Sequence, residues 1–149
     1  MSFALDPTID PDETDPLILG GVEFRIAPLA IRQNRKIGPM LADVIEIEGR
    51  RIGAMAGVQV NADGLPDLPR EALAEKQRMI SLSEAEWNML TEFVRIGLSR
   101  CHPGVTFDDL LDLPVDAEGL LAAVDAVAGA TRLTRRMKPG TGEPQAASR

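Results

Sequence analysis

The chain has 149 residues, enough for one domain with its own core, and carries a formal net charge of −7. One cysteine, Cys101, and one histidine, His102, exclude an intrachain disulfide framework, a thiolate zinc site, a two-histidine metal site and a histidine relay. Aromatic residues make up only 3% and the pI is near 4.7, which disfavours base stacking and general attraction to nucleic acid or anionic lipid.

No apolar run approaches the roughly 20 residues that cross a bilayer. The opening MSFALDPTIDPDETDP has no basic n-region and no continuous apolar h-region, so it is no secretory signal. The expected location is the cytoplasm, with no membrane partner. Residues 1–16 hold Asp6, Asp10, Asp12, Glu13 and Asp15 with no base, and Asp-Pro recurs three times. That chemistry makes turns rather than helix, so 1–16 reads as an acidic disordered arm.

Leu17-Ile18-Leu19 and Val22-Glu23-Phe24-Arg25-Ile26 flank Gly20-Gly21. Alternation of Val22, Phe24 and Ile26 with Glu23 and Arg25 has the period of a half-buried strand. The Gly-Gly pair tolerates the positive φ angles of a two-residue hairpin turn. From Ile31 to Glu48 the positions Ile37, Met40, Leu41, Val44 and Ile45 follow helical spacing. Gly38-Pro39 is expected to kink or restart this helix, and Gly49 to stop it. Residues 49–67, with four glycines, read as a loop with one short strand or helical turn. Residues 68–79 suit a short helix with Pro69 near its start.

The strongest helix signal runs from about Glu84 to Arg100. Ser83 and Glu86 form an S-x-x-E capping box, and Trp87, Leu90, Phe93, Val94, Leu98 and Cys101 mark one apolar face. Pro103-Gly104 ends it. Thr106 caps a short helix that Pro114 stops, and Asp116 caps a last, Ala- and Gly-rich helix. Its buried face is Leu120, Leu121, Val124, Val127 and Ala128. The fold class is therefore mainly α: a small helical domain with an N-terminal β-hairpin, α+β being the alternative, with flexible termini. The expected boundaries are 1–16 for the arm, 17–134 for the helical domain and 135–149 for a disordered basic tail.

Four features invite a chemical reading. Cys101-His102 are adjacent, but neighbours on a helix point about 100° apart, and no orienting group is in sight. Cys101 fits the apolar face and His102 the last turn, where a cation complements the helix dipole. Asp108, Asp109 and Asp112 are placed as first-turn caps, and neither they nor Asn61-Ala62-Asp63-Gly64 have calcium-loop spacing. Gly20-Gly21 lacks the spacing of a phosphate cradle. Arg132, Arg135, Arg136 and Lys138 lack interleaved aromatics and suit a solvated helix end, so no nucleic-acid partner is expected. These residues point to no catalysis, cofactor or metal. The adaptable methionines 40, 55, 79, 89 and 137 and the charged ends favour a binding or assembly protein.

The order of features resembles phage tail assembly chaperones of long-tailed phages and prophages. The residues that carry the resemblance are Leu19-Gly20-Gly21-Val22-Glu23-Phe24-Arg25-Ile26, Pro28-Leu29, Arg32-Gln33-Asn34-Arg35, Leu98 to Thr106 and Asp109 to Val115, within a span of about 17–134. The stretch 49–79 departs from the compact members. The resemblance implies a non-enzymatic protein in the host cytoplasm that binds the tape-measure protein. It would keep that client soluble before tail-tube polymerisation, and tail-tube subunits are a further candidate partner. In many members a ribosomal frameshift produces a longer form. The alternative is a minor structural tail or connector protein, and self-association fits either. The expected contact surface is the hairpin edge with the last helix: Val22, Phe24, Ile26, Leu120, Val124 and Val127.

Overall fold

The computed structural model describes residues 3–56, 59–65 and 67–131. The basic cluster Arg132, Arg135, Arg136 and Lys138, and the tail 135–149, lie outside the described residues. Strands β1 (Asp15–Leu19) and β2 (Val22–Ile26) pair antiparallel, with Leu17 opposite Phe24 and Leu19 opposite Val22. Gly20 (φ 59°) and Gly21 (φ 80°) make the turn, both in the left-handed region that glycine enters without a Cβ penalty. Alternation then turns Leu17, Leu19, Val22, Phe24 and Ile26 inward. Phe24 is fully buried, and burying a side chain of that size contributes about 1.5–3 kcal/mol.

Five α-helices follow among the described residues: α1 (Ile31–Met55), α2 (Arg70–Ile80), α3 (Glu84–Leu98), α4 (Phe107–Leu111) and α5 (Ala117–Ala130). The mainly α class with its N-terminal hairpin is the architecture found. Helix α3 is the central element, packed by α1, α4, α5 and β2. Leu90, Phe93, Val94 and Leu98 on it are fully buried. The three cap signals close locally. Ser83 Oγ accepts from Glu86 N at 3.1 Å, Thr106 Oγ1 from Asp109 N at 3.1 Å and Asp116 Oδ1 from Gly119 N at 2.8 Å.

Helix α1 is longer than its sequence implies. It passes through Gly38-Pro39 and Gly49 and ends at Met55. Gly38 has no Cβ to meet the proline ring, which removes much of the clash that normally bars helix before proline. Beyond Gly49, tertiary contacts hold the last two turns. Arg50 donates to both carboxylate oxygens of Glu86, at 2.7 and 3.0 Å, and to Met79 O and Ser81 O. Arg51, although buried, donates to Ile80 O and Glu118. Helix α2 lies on this extension, with Lys76 Nζ donating to Ala54 O at 2.8 Å. The expected loop over 49–67 is thus helix as far as Met55. A tight turn follows, in which Asn61 Oδ1 accepts from Asp63 N and Leu65 N.

Residues 3–16 also differ from the flexible arm expected of them. Phe3 stacks on Phe24 with ring centroids 5.3 Å apart, and Asp6 N donates to Cys101 O at 2.7 Å. A 3-10 turn at Pro11–Glu13 follows, capped by Asp10. Arg25 Nε donates to the buried Thr14 Oγ1 at 2.8 Å, fixing the approach to β1. The turn chemistry of the Asp-Pro pairs is real, but it wraps the chain against the hairpin.

Candidate functional site

Helix α1 carries two apolar seams. Ile37, Val44, Ile47, Arg51 and Ala54 are buried and form the face that meets the body. A second seam runs beside it: Leu41, Ile45, Glu48, Ile52 and Met55, spaced by four and three residues, which sets them one above another. Ile45, Ile52 and Met55 on this seam are 64%, 71% and 50% exposed. Isolated exposed aliphatics are ordinary, but here an aligned row of them on one helix is left uncovered by the described residues.

The C-terminal half of this seam forms one wall of an open groove of about 860 Å³. Leu121, Ala122 and Asp125 on α5 form the other wall, and Ile80 at the end of α2 closes one side. The groove exists because α1 and α5 both pack on α3 without packing closely on each other. Arg51 fixes the geometry, since its guanidinium joins α1 to the last carbonyl of α2 and to Glu118 in the first turn of α5.

The groove is aliphatic along its length and acidic at its middle. Burial, together with the facing Asp125 carboxylate, pushes the Glu48 carboxyl up to about 7. Among the described residues no cation pairs with Glu48 or Asp125, because Arg51 is committed to Glu118. The arrangement is an aliphatic groove with one hydrogen-bonded carboxyl pair at its middle.

The residues singled out from sequence lie elsewhere. Val22, Phe24, Ile26, Leu120, Val124 and Val127 are all buried, Phe24, Val124 and Val127 completely. They form the core between hairpin, α3 and α5, so the expected contact surface is corrected to core packing. The exposed edge of α5 is one step round the helix, at Ala122 and Asp125. Ile52 and Met55 on α1 lie beyond Gly49, where the expected helix ends. Continuing the spacing of Leu41 and Ile45 through Glu48 to Ile52 and Met55 is the signal that finds them.

Cys101 and His102 form a structural joint. Burial pushes the Cys101 thiol up. Instead of occupying a solvated last turn, His102 is buried with both ring nitrogens engaged by backbone. Nε2 accepts from Arg25 N at 2.9 Å, and that assigns the ring proton to Nδ1, which donates to Ala4 O at 3.1 Å. Its ring meets Phe24 edge-on at 5.4 Å. Asp109 accepts from Thr106 N within the α4 cap, and no metal-competent cluster of three ligands occurs among the described residues. No helix among them is long and apolar enough to cross a membrane. Set against known proteins, the chain matches no family model, no curated protein and no solved structure.

Proposed function

We propose that this chain is a non-catalytic assembly chaperone of the phage tail type, which holds the helix-rich tape-measure protein before tail-tube subunits polymerise around it. The observation that carries the reading is the aliphatic groove between α1 and α5, lined by Ile52, Met55 and Leu121 and continued by Ile45. A groove bounded by two helices accepts a third through residues at i, i+3, i+4 and i+7. A long amphipathic client exposes such stripes along its whole length and aggregates unless they are covered. The hairpin and the Leu98–Thr106 and Asp109–Val115 segments that resemble the chaperone family build the scaffold from which α1 and α5 project.

Co-expression with the tape-measure protein from the same gene cluster tests the reading. The expected result is a soluble client that co-purifies with this chain, where the client alone is insoluble. A client that stays insoluble and unassociated overturns it. Mass spectrometry of purified particles separates it from the alternative of a structural tail or connector protein, since a stoichiometric copy in the particle contradicts a chaperone displaced during assembly.

A further inference from the structure

Resting on that reading, we infer that the segment seated between α1 and α5 is an amphipathic helix whose apolar stripe carries a lysine or arginine, placed against the Glu48–Asp125 carboxyl pair. Three observations lead there. The wall from Ile45 to Met55 is eleven residues of helix, about 15 Å from first to last, so it matches roughly three turns of a partner helix. The groove is aliphatic at Ile52, Met55, Ile80 and Leu121, so most of the partner's contact face is apolar.

The third observation is the charge. Glu48 and Asp125 meet in the groove with one carboxyl hydrogen-bonded to the other, while Glu118 is paired with the buried Arg51, which also donates to Ile80 O. Arg51 therefore neutralises Glu118, and among the described residues the Glu48–Asp125 pair has no cation of its own. Glu48 and Asp125 share a proton and still carry one negative charge, which a wholly apolar partner would bury without a counter-charge, and that is costly. A partner carrying one cation at that level compensates the charge of the pair and supplies charge-assisted hydrogen bonds. The same argument disfavours a second copy of this chain. Two copies joined through this seam would bring a further Glu48 to a site already in carboxylate excess.

The test uses the full chain and a synthetic 18-residue amphipathic helix with leucines at i, i+3, i+4 and i+7. One central stripe position is varied as lysine, norleucine or glutamate, and affinity is measured by calorimetry or fluorescence anisotropy. The lysine peptide is expected to bind about tenfold tighter than the norleucine peptide, with the glutamate peptide weakest. Glu48→Gln combined with Asp125→Asn should erase that order without loss of helicity, and Ile52→Asp should weaken all three peptides. Equal binding of the lysine and norleucine peptides overturns the inference, as does no binding by any. A dimer that Ile52→Asp dissociates would make a second copy the occupant. Affinity that rises in Arg135→Glu/Arg136→Glu would make the chain's own basic end the occupant. Either result overturns the inference. Co-purification of a tape-measure protein unchanged by Glu48→Gln/Asp125→Asn would remove the cation and leave the chaperone reading standing, whereas no co-purification with the wild type removes both.

Discussion

Gly97 sets how closely α3 and α5 approach. A Cβ built there would sit 2.6 Å from Val127 Cγ2 and 3.0 Å from Val127 Cβ, well inside contact distance. Val127 is fully buried and has nowhere to retreat. Gly97→Ala should therefore destabilise the fold by about 1–3 kcal/mol in urea unfolding, despite its better helix propensity. Combining it with Val127→Ala should cost less than the two single changes added, because the smaller residue vacates the space. Glu48 acts at the same scale through charge. It faces Asp125, Glu118 and Arg51, and its pKa of about 7 lies above the ordinary value of 4.5. An acid with a raised folded pKa contributes stability that is present below 4.5 and lost as pH rises through 7. Glu86 and Glu92 run the other way. The hydrogen bonds from Arg50 and Arg95 hold their carboxyls below the ordinary value, so their contribution is present above 4.5 and lost in acid. Between pH 5 and 8 the urea midpoint of the wild type should fall more than that of Glu48→Gln, and the variant should be the more stable at pH 8.

At the scale of elements, legibility follows the range of the contacts that decide each one. The hairpin turn and the three helix caps rest on residues no more than three positions apart, and Gly20-Gly21, Ser83, Thr106 and Asp116 announce them. The end of α1 does not announce itself. Gly49 lowers local helix propensity by about 1 kcal/mol, and the contacts that outweigh it come from 29 to 67 residues away, through Arg50 and Arg51. The N-terminal segment is similar. His102 meets Ala4 across 98 residues, and no pattern within the first sixteen residues encodes that bond. The groove is illegible for the same reason, since most of its α1 wall lies beyond Gly49, where local propensity alone stops the helix. Removing the long-range support tests this account. Arg50→Ala should cost about 1 kcal/mol in unfolding, with faster amide exchange confined to residues 50–55 and α2. Lys at position 50 should restore little, because an ammonium cannot match the two oxygens of Glu86 together with two carbonyls.

Across the whole molecule, scarce chemistry and uneven charge take on structural meaning. The one cysteine and one histidine lie where the N-terminal segment, the hairpin and the end of α3 meet. The acidic N-terminal stretch is tied down by Asp6, Thr14 and Arg25. Sequestered in the core are the hairpin and α5 residues Val22, Phe24, Ile26, Leu120, Val124 and Val127, and what remains for a partner is the second seam of α1 with the outer edge of α5. We propose that this face receives the client. Hydrogen–deuterium exchange of the full chain, free and bound to a tape-measure fragment, measures it most directly. Protection gained over residues 45–56 and 118–126, with β1 and β2 unchanged, is the predicted result. Protection confined to residues 15–26, with 45–56 exchanging as in the free protein, would contradict it.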